Sequence, residues 1–518
     1  MGLKPRIAVI GAGAGGIAMG IALTSGGYDF TIFDRADGFG GTWRHNTYPG
    51  AACDVPSHLY SFSFAPNPRW SSTYARQPEI LDYLEHVAYS RGLGDRFRPS
   101  TRIVALRWSD TDHGWTLTTA AGDVHQFEVV VSAVGMLDVP NIPTLPGRQR
   151  FTGRVFHSSN WDHSTSTAGE RVGSIGTGAS AVQYVPAIAA QTAHLTVFQR
   201  TPIWVSPRFD VAFSPEQQDL FERNPAEAKK LRDEAFDQYE AASFDVDSAQ
   251  TTQATELARS YLFRKVTDPV LRAKLTPAYP VGCKGPLLPR DWFPTFAMPN
   301  VTLETSPVVE FTERGLRTAD GVEHELDTVI YGTGFTAADY LSSLDVYGTE
   351  GRRLHDEWSD GATAYLGTVI AGYPNLFTLY GPNTNGVNSI FYIHEVQADF
   401  IRRVLDLMDD SAAHTIEVRR EVQDDYNIEI QAAMAGTVWL AGCSNYFRHP
   451  SGRVVTQLPY SGKAFANRLK TVRLAEYHLS SGAPAAGNRD PGEPRAPGID
   501  NDVAPGAIVS PSNKPDLG

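Results

Sequence analysis

The sequence predicts an α/β protein carrying two Rossmann-like units, the second interrupted by a helical insertion. Three observations predict it. Two glycine loops, at Gly11 and Gly176, each follow a short apolar strand pattern and open an apolar helix pattern. A charged, helix-patterned stretch follows the second loop. The 518-residue length exceeds one ordinary core, so two or three lobes are expected.

The first unit begins with Arg6 to Ile10 (RIAVI), which reads as a fully buried parallel strand. Gly11-Ala-Gly13-Ala-Gly15-Gly16 follows, then the helical stretch Ile17 to Leu23. This is G-x-G-x-x-G in its strand–turn–helix context. The glycines allow a tight turn and close backbone approach, and the helix N-terminus offers free N–H groups to a pyrophosphate. A second strand, Phe30 to Phe33, ends at Asp34, an acid able to accept hydrogen bonds from a ribose 2′-OH. That favours FAD or NAD over a 2′-phosphorylated nucleotide.

The second unit repeats the pattern. Arg171 to Ile175 leads into Gly176-Thr177-Gly178-Ala179-Ser180-Ala181 and a helix through Val185. Ala181 replaces the third glycine, a spacing position that tolerates a small side chain. The following strand, Leu195 to Gln199, ends in Arg200-Thr201, so a cation stands where the first unit has Asp34. A guanidinium pairs with a 2′-phosphate, and this site reads as NADP(H). One ribose-tuned and one ribose-phosphate-tuned site suggest a flavoprotein reduced by NADPH. A third glycine turn, Gly332-Thr333-Gly334-Phe335 after the strand pattern Thr328 to Tyr331, is expected where the chain re-enters the first domain beside the FAD.

Composition narrows the function classes. Lys+Arg 45 against Asp+Glu 58 gives −13, which argues against nucleic acid as the partner, because phosphate neutralisation needs a basic face. No apolar run approaches the ~18 residues of a membrane helix, and no signal peptide precedes the first strand. The three cysteines, Cys53, Cys283 and Cys443, are far apart and odd in number. That argues against a disulfide scaffold or a metal site and for a reducing, cytoplasmic setting. No C-x-x-C or C-x4-C pair exists for a flavin to reduce, which disfavours a thiol–disulfide reductase.

Between the two loops lies Phe151-Thr-Gly153-Arg-Val-Phe-His157-Ser-Ser-Asn-Trp161-Asp162. It matches F-x-G-x-x-x-H-x-x-x-W-[P/D] at every defined position, and the chain thereby resembles the type I Baeyer–Villiger monooxygenases, class B flavoprotein monooxygenases. Gly40-Gly41-Thr42-Trp43, Tyr48-Pro49-Gly50-Ala-Ala-Cys53-Asp54, Tyr60-Ser-Phe-Ser-Phe64, Phe198-Gln-Arg200-Thr201-Pro202 and Gly372-Tyr-Pro-Asn-Leu-Phe377 extend the likeness over roughly residues 5–475. The resemblance implies FAD- and NADPH-dependent transfer of one oxygen atom from O2 to a small molecule. A deprotonated C4a-peroxyflavin would convert a ketone to an ester or lactone; protonated, the adduct would oxygenate nitrogen or sulfur instead. A catalytically degenerate flavin-binding protein is the non-enzyme alternative.

By the same resemblance, Gly11, Gly13, Gly16, Asp34, Gly41, Thr42, Trp43, Tyr60 and Ile103 join the cofactor-binding set. So do Gly176, Thr177, Gly178, Ala179, Ser180, Arg200, Thr201 and Lys284. Asp54 organises the cation beside the flavin. His157 and Trp161 are i, i+4 partners in an interdomain linker, with a conformational role.

One position departs from the family. After Lys284, which resembles the contact to the NADP 2′-phosphate, the family carries an arginine that stabilises the peroxyflavin; here stands Gly285. Such an electrostatic contact is worth ~3–4 kcal/mol. Three accounts stand open: a substitute cation such as Arg290, electrophilic transfer that needs no fixed charge, or a weakened catalyst. Near the C-terminus, Trp439 and Tyr446 are candidates for the substrate side.

The expected organisation is an FAD-binding part over 1–145, an NADPH-binding domain over 150–330 with a helical insertion over about 215–275, and a second FAD-binding part over 330–478. The Pro- and Gly-rich residues 480–518 are expected to be disordered or draped on the surface.

Overall fold

The computed structural model describes residues 4–285, 287–289 and 291–481. Two five-stranded parallel sheets organise the chain. The first has the order Leu376–Thr378, Val129–Ser132, Arg6–Ile10, Asp29–Phe33, Phe97–Arg98. The second has the order Val301–Glu304, His194–Phe198, Arg171–Ile175, Thr328–Tyr331, Arg154–His157. Strands covered on both faces must be apolar throughout. Ile7, Ala8 and Val9 are accordingly wholly buried, as are Val129, Val130 and Val131.

Each glycine loop leaves the central strand of its sheet, with later strands added on both sides. That is the point where an open α/β sheet leaves a crevice for a nucleotide. The helices that follow, Ala14–Ser25 and Ala181–Ala189, have no side-chain cap and no acid in the first turn. Their first-turn N–H groups are thus available to an anion.

The helical insertion forms as four helices, Pro215–Arg223, Pro225–Glu240, Ala249–Lys265 and Pro269–Leu275. It is not a freely solvated appendage. Arg232 reaches the first unit and donates to the carbonyls of His58, at 3.0 Å, and Ser61, at 2.9 Å. Phe244 packs on Trp439 at 4.7 Å, and Val438 N–H donates to the Phe244 carbonyl at 2.8 Å. The insertion therefore bridges the Tyr60 segment and the loop that carries Tyr446.

Four expectations need correction. Cys283 and Cys443 are joined in a disulfide across 160 residues, both buried beside Trp204 and Tyr279; Cys53 is the free thiol. Distance in sequence said nothing about a meeting made by tertiary folding. The fingerprint segment is not a linker: Arg154–His157 is a strand of the second sheet, paired with Thr328–Tyr331. Nor do His157 and Trp161 pair with each other. His157 faces Phe335 at 5.7 Å, whereas Trp161 packs between Phe156 at 5.2 Å and Tyr184 at 5.4 Å. Finally, Ser480 ends a strand, Tyr477–Ser480, paired with Thr415–Val418; the tail expectation otherwise lies outside the described residues, as does the expectation for Arg290. Among the described residues, no helix is long and apolar enough to cross a membrane.

Candidate active site

The first cradle is built by close backbone contact. A Cβ on Gly16 would stand 1.9 Å from the Gly11 carbonyl oxygen, and one on Gly41 would stand 2.7 Å from the Gly13 Cα. Gly41 also has φ +52, so only glycine brings the Gly40–Gly41 turn this near without strain. Asp34 ties the cradle together: Ala12 N–H donates to one of its carboxylate oxygens at 2.6 Å and Ala36 N–H to the other at 2.7 Å. Each oxygen keeps a second lone pair for a ribose hydroxyl. Ile103 is buried and lies two residues beyond Thr101, whose N–H donates to the Asp34 carbonyl at 2.7 Å. On the other side of the Gly40–Gly41 turn, Trp43 Nε1–H donates to Tyr60 Oη at 3.0 Å. Tyr60 in turn packs edge-on to Phe391.

The second cradle has a different electrostatic character. Gly176, at φ +106, lies against Gly332: a Cβ there would stand 2.4 Å from the Gly332 oxygen. The third glycine turn thus braces the second nucleotide loop, and Asn141 N–H donates to the Gly334 carbonyl at 2.8 Å. Thr177 donates to the Thr201 carbonyl at 3.2 Å, and a Cβ on Gly178 would meet nothing nearer than 3.9 Å. Beyond the cradle, residues 202–206 are stitched to 279–287. Trp204 Nε1–H donates to the Tyr279 carbonyl at 2.6 Å, Tyr279 Oη to the Pro202 carbonyl at 2.6 Å, and Ser206 N–H to the Leu287 carbonyl at 2.9 Å.

That stitching brings Arg200 and Lys284 within electrostatic reach. Burial draws the Lys284 ammonium below its ordinary range, and the like charge of Arg200 draws it further. Among the described residues, neither is ion-paired with a carboxylate. Two cations held together without a counterion suit a doubly negative phosphate. Arg200→Ala is expected to raise the NADPH KM about tenfold or more while leaving flavin content unchanged, as one charge-assisted contact is worth ~1.5–3 kcal/mol. Steady-state titration with NADPH checks it.

The segment that leads to Asp54 is tied to the second unit: Tyr48 Oη donates to Gln183 Oε1 at 3.0 Å, and Gln183 Nε2 donates to the Ala52 carbonyl at 3.0 Å. Asp54 is solvent-accessible, yet burial pushes its carboxyl above the ordinary carboxylate range, opposed by its own backbone N–H and by the charge of Arg208. Both facts hold together when the side chain opens into a cleft walled by protein. Tyr446 has the same character: it is 52% exposed, while burial and the Asp54 charge push its hydroxyl up to about 12. Tyr239 of the insertion donates to the Asp54 carbonyl at 3.5 Å. Trp439, by contrast, is buried against Phe244 and is core. Sequence reading missed Tyr239 and Arg208; both come from segments with no motif.

Two curated proteins named Baeyer–Villiger monooxygenase match almost the whole chain. One, from Streptomyces coelicolor, is 40% identical over 486 residues, 93% of each chain; the other, from Pseudomonas aeruginosa, is 40% identical over 482 residues, 92% of each. The chain belongs to the Baeyer–Villiger monooxygenase family. A phenazine N-monooxygenase from Lysobacter antibioticus is 31% identical over 90% of this chain and 95% of its own length. Among solved structures, a closed cyclohexanone monooxygenase superposes with a TM-score of 0.84 at 29% identity, over 93% of this chain and all of its own. A steroid monooxygenase bound to NADP gives 0.83 at 29% identity over 92% of this chain and all of its own. The family model for pyridine nucleotide-disulphide oxidoreductases matches residues 8–258, less than half of the chain, and the sequence holds no C-x-x-C or C-x4-C pair.

Proposed function

We propose that the protein uses FAD and NADPH to transfer one oxygen atom from O2 to a ketone, giving an ester or lactone. The observation that carries this reading is the presence of two glycine cradles in one chain, one finished by Asp34 and one followed by Arg200 with Lys284. Its relatives and structural neighbours support the same chemistry.

The described residues fit both nucleotides. Gly11, Gly13 and Gly16 leave the first cradle open to a pyrophosphate where any Cβ at Gly16 would close it. Asp34 would hold the ribose of the flavin nucleotide, and Arg200 with Lys284 would hold the 2′-phosphate of NADPH. Bound there, FAD would supply the chemistry of hydride acceptance from NADPH and of O2 activation. The protein's part is positional and electrostatic. Trp43 and Tyr60 lock each other in place on the flavin side. Asp54 presents a carboxylate to the cleft, while Tyr446 and Tyr239 cover it. The insertion, pinned through Arg232, limits the entry of water, and a drier cleft strengthens every charge inside it.

A second reading, oxygenation of nitrogen or sulfur, is favoured by Gly285, which places no side-chain charge in the cleft, and by the likeness to a phenazine N-monooxygenase. The two are separated by product analysis with a ketone panel against a thioether and amine panel under 18O2. One labelled oxygen in an ester or lactone supports the first reading. Labelled N-oxide or sulfoxide with no ester supports the second, and stoichiometric hydrogen peroxide with no product defeats both. Gly285 has room for a side chain, since a Cβ there meets nothing within 4 Å. Gly285→Arg is expected to raise ketone turnover roughly tenfold, the value of one charge-assisted contact.

A further inference from the structure

We propose that His394 is a binding residue for FAD, its imidazole donating from Nε2 to the pyrophosphate held at the first glycine loop. The proposal rests on the FAD site read above and adds to it a residue that no motif marks.

Contact at Gly15 carries it. A Cβ on Gly15 would stand 3.0 Å from the His394 Cε1 and 3.2 Å from its Nδ1, with the Ala133 Cβ at 3.6 Å. The imidazole therefore fills the space that a side chain at position 15 would take. A helical Cβ tilts toward the helix N-terminus. Gly15 lies in the first turn of Ala14–Ser25, so the ring stands beside the N–H groups offered to the pyrophosphate.

The sheet places the same ring in the nucleotide crevice. Ala133 N–H donates to the Ile10 carbonyl at 2.7 Å, and a Cβ on Gly11 would stand 2.5 Å from the Ala133 oxygen. Leu379 N–H donates to the Ser132 carbonyl at 2.8 Å, which brings Tyr380 to the same carboxyl edge of the strands. The Tyr380 ring lies 5.3 Å from that of His394. Ligands of open parallel sheets bind at that edge.

His394 is held there firmly and left unpaired. It belongs to the helix Ile390–Asp410 and is 7% exposed. Gln397, one turn on, is wholly buried and uses its whole amide. Tyr380 N–H donates to its Oε1 at 2.8 Å, and its Nε2 donates to the Gly367 carbonyl at 3.2 Å and to Thr368 Oγ1 at 2.9 Å. His394 has no such partners. Its Nδ1 is fully enclosed without one, and among the described residues its Nε2 makes no hydrogen bond. A polar ring buried so deeply requires a partner that the chain itself does not supply. Burial lowers the imidazole to about 4, so the ring is neutral at working pH and carries one N–H. With Nδ1 sealed in, Nε2 is the nitrogen that can meet a ligand, and an anionic oxygen there fixes the proton on it.

The test uses the purified FAD-loaded protein. FAD release on dilution, followed by the recovery of flavin fluorescence, gives the FAD dissociation constant. The 31P resonances of the bound FAD report on the pyrophosphate directly. His394→Phe keeps the shape of the ring and removes its nitrogens; His394→Gln keeps an N–H donor at similar reach. His394→Phe should weaken FAD binding about tenfold, the value of one hydrogen bond to a charged group, and should shift the 31P resonances. His394→Gln should recover most of the affinity. NADP+ affinity should stay within about twofold throughout, since Arg200 and Lys284 are untouched. Gly15→Ala, whose methyl would push the imidazole aside, should weaken FAD severalfold in the wild type and less than about twofold beside His394→Ala. Unchanged FAD affinity with unmoved 31P resonances in His394→Phe overturns the proposal. An equal loss in the Phe and Gln variants also overturns it, because packing alone would then account for His394. If His394→Phe does not fold, an equal cost of Gly15→Ala with and without His394→Ala overturns it instead. A wild-type protein that binds no FAD overturns the FAD site itself, whereas tight FAD binding indifferent to His394 overturns the role of this residue alone.

Discussion

Gly16→Ala protein is expected to be isolated without FAD. Residue 16 lies in the first turn of the helix Ala14–Ser25, so by helix propensity alone alanine would be favoured there by ~1 kcal/mol. Contact geometry decides the other way. The added methyl would stand 1.9 Å from the Gly11 carbonyl oxygen and 2.9 Å from its carbon, both backbone atoms of the turn that must receive the pyrophosphate. No side chain can swing aside, so the helix must move off the strand and take its N–H groups out of aim. Gly178→Ala is the matched control in the second cradle, because its methyl meets nothing nearer than 3.9 Å. The ratio of flavin to protein absorbance should fall to a few per cent of wild type for Gly16→Ala and stay unchanged for Gly178→Ala. Full flavin occupancy in the first variant would remove this loop from the FAD site.

The contrast between those two glycines shows why much of the site can be read from sequence. A nucleotide cradle is local: strand, turn and helix lie within about fifteen residues, and the constraint on each glycine is a contact with atoms close by in the chain. Asp34 and Arg200 are legible for the same reason, each ending the strand next to its loop. The insertion is legible because helices follow from local pattern. What could not be read depends on segments that meet only in the folded chain. Asp54 is recognisable, but Arg208, whose charge opposes the effect of burial on its carboxyl, lies 154 positions away and belongs to no motif. Tyr239, half-buried on the insertion, reads in sequence as one more aromatic on a charged helix. The fingerprint shows the opposite failure: its residues are conspicuous, yet nothing in their spacing says that Phe156 and Trp161 meet Tyr184 while His157 turns to Phe335. Burial lowers the basicity of His157, whose Nδ1 meets Ser159 Oγ at 2.8 Å. That is the setting of a neutral side chain braced against the third glycine turn, not of a proton carrier.

The disulfide is the second place where a large effect is expected. Cys283 precedes Lys284, and Cys443 lies three residues before Tyr446, so the bond fastens the segment that carries Lys284 to the loop that carries Tyr446. Closing a 160-residue loop removes unfolded-chain entropy worth about 5 kcal/mol in the chain-entropy account. Both sulfurs sit in one apolar cluster with Trp204, Ala258, Tyr279 and Val281, where paired alanines would pack with little strain. The Cys283→Ala/Cys443→Ala protein should therefore fold with a clearly lower unfolding midpoint in urea. It should also bind NADP+ severalfold more weakly, because Lys284 would be held only by the stitching of 202–206 to 279–287. Thiol titration of the denatured wild type should count one free thiol, Cys53, before reduction and three after. An equal midpoint with unchanged NADP+ affinity would mean the bond constrains nothing that the hydrogen bonds do not already hold. A lower midpoint with unchanged affinity would confine its role to stability. A loss of both would mean that the covalent link, rather than the paired segments alone, keeps Lys284 facing Arg200.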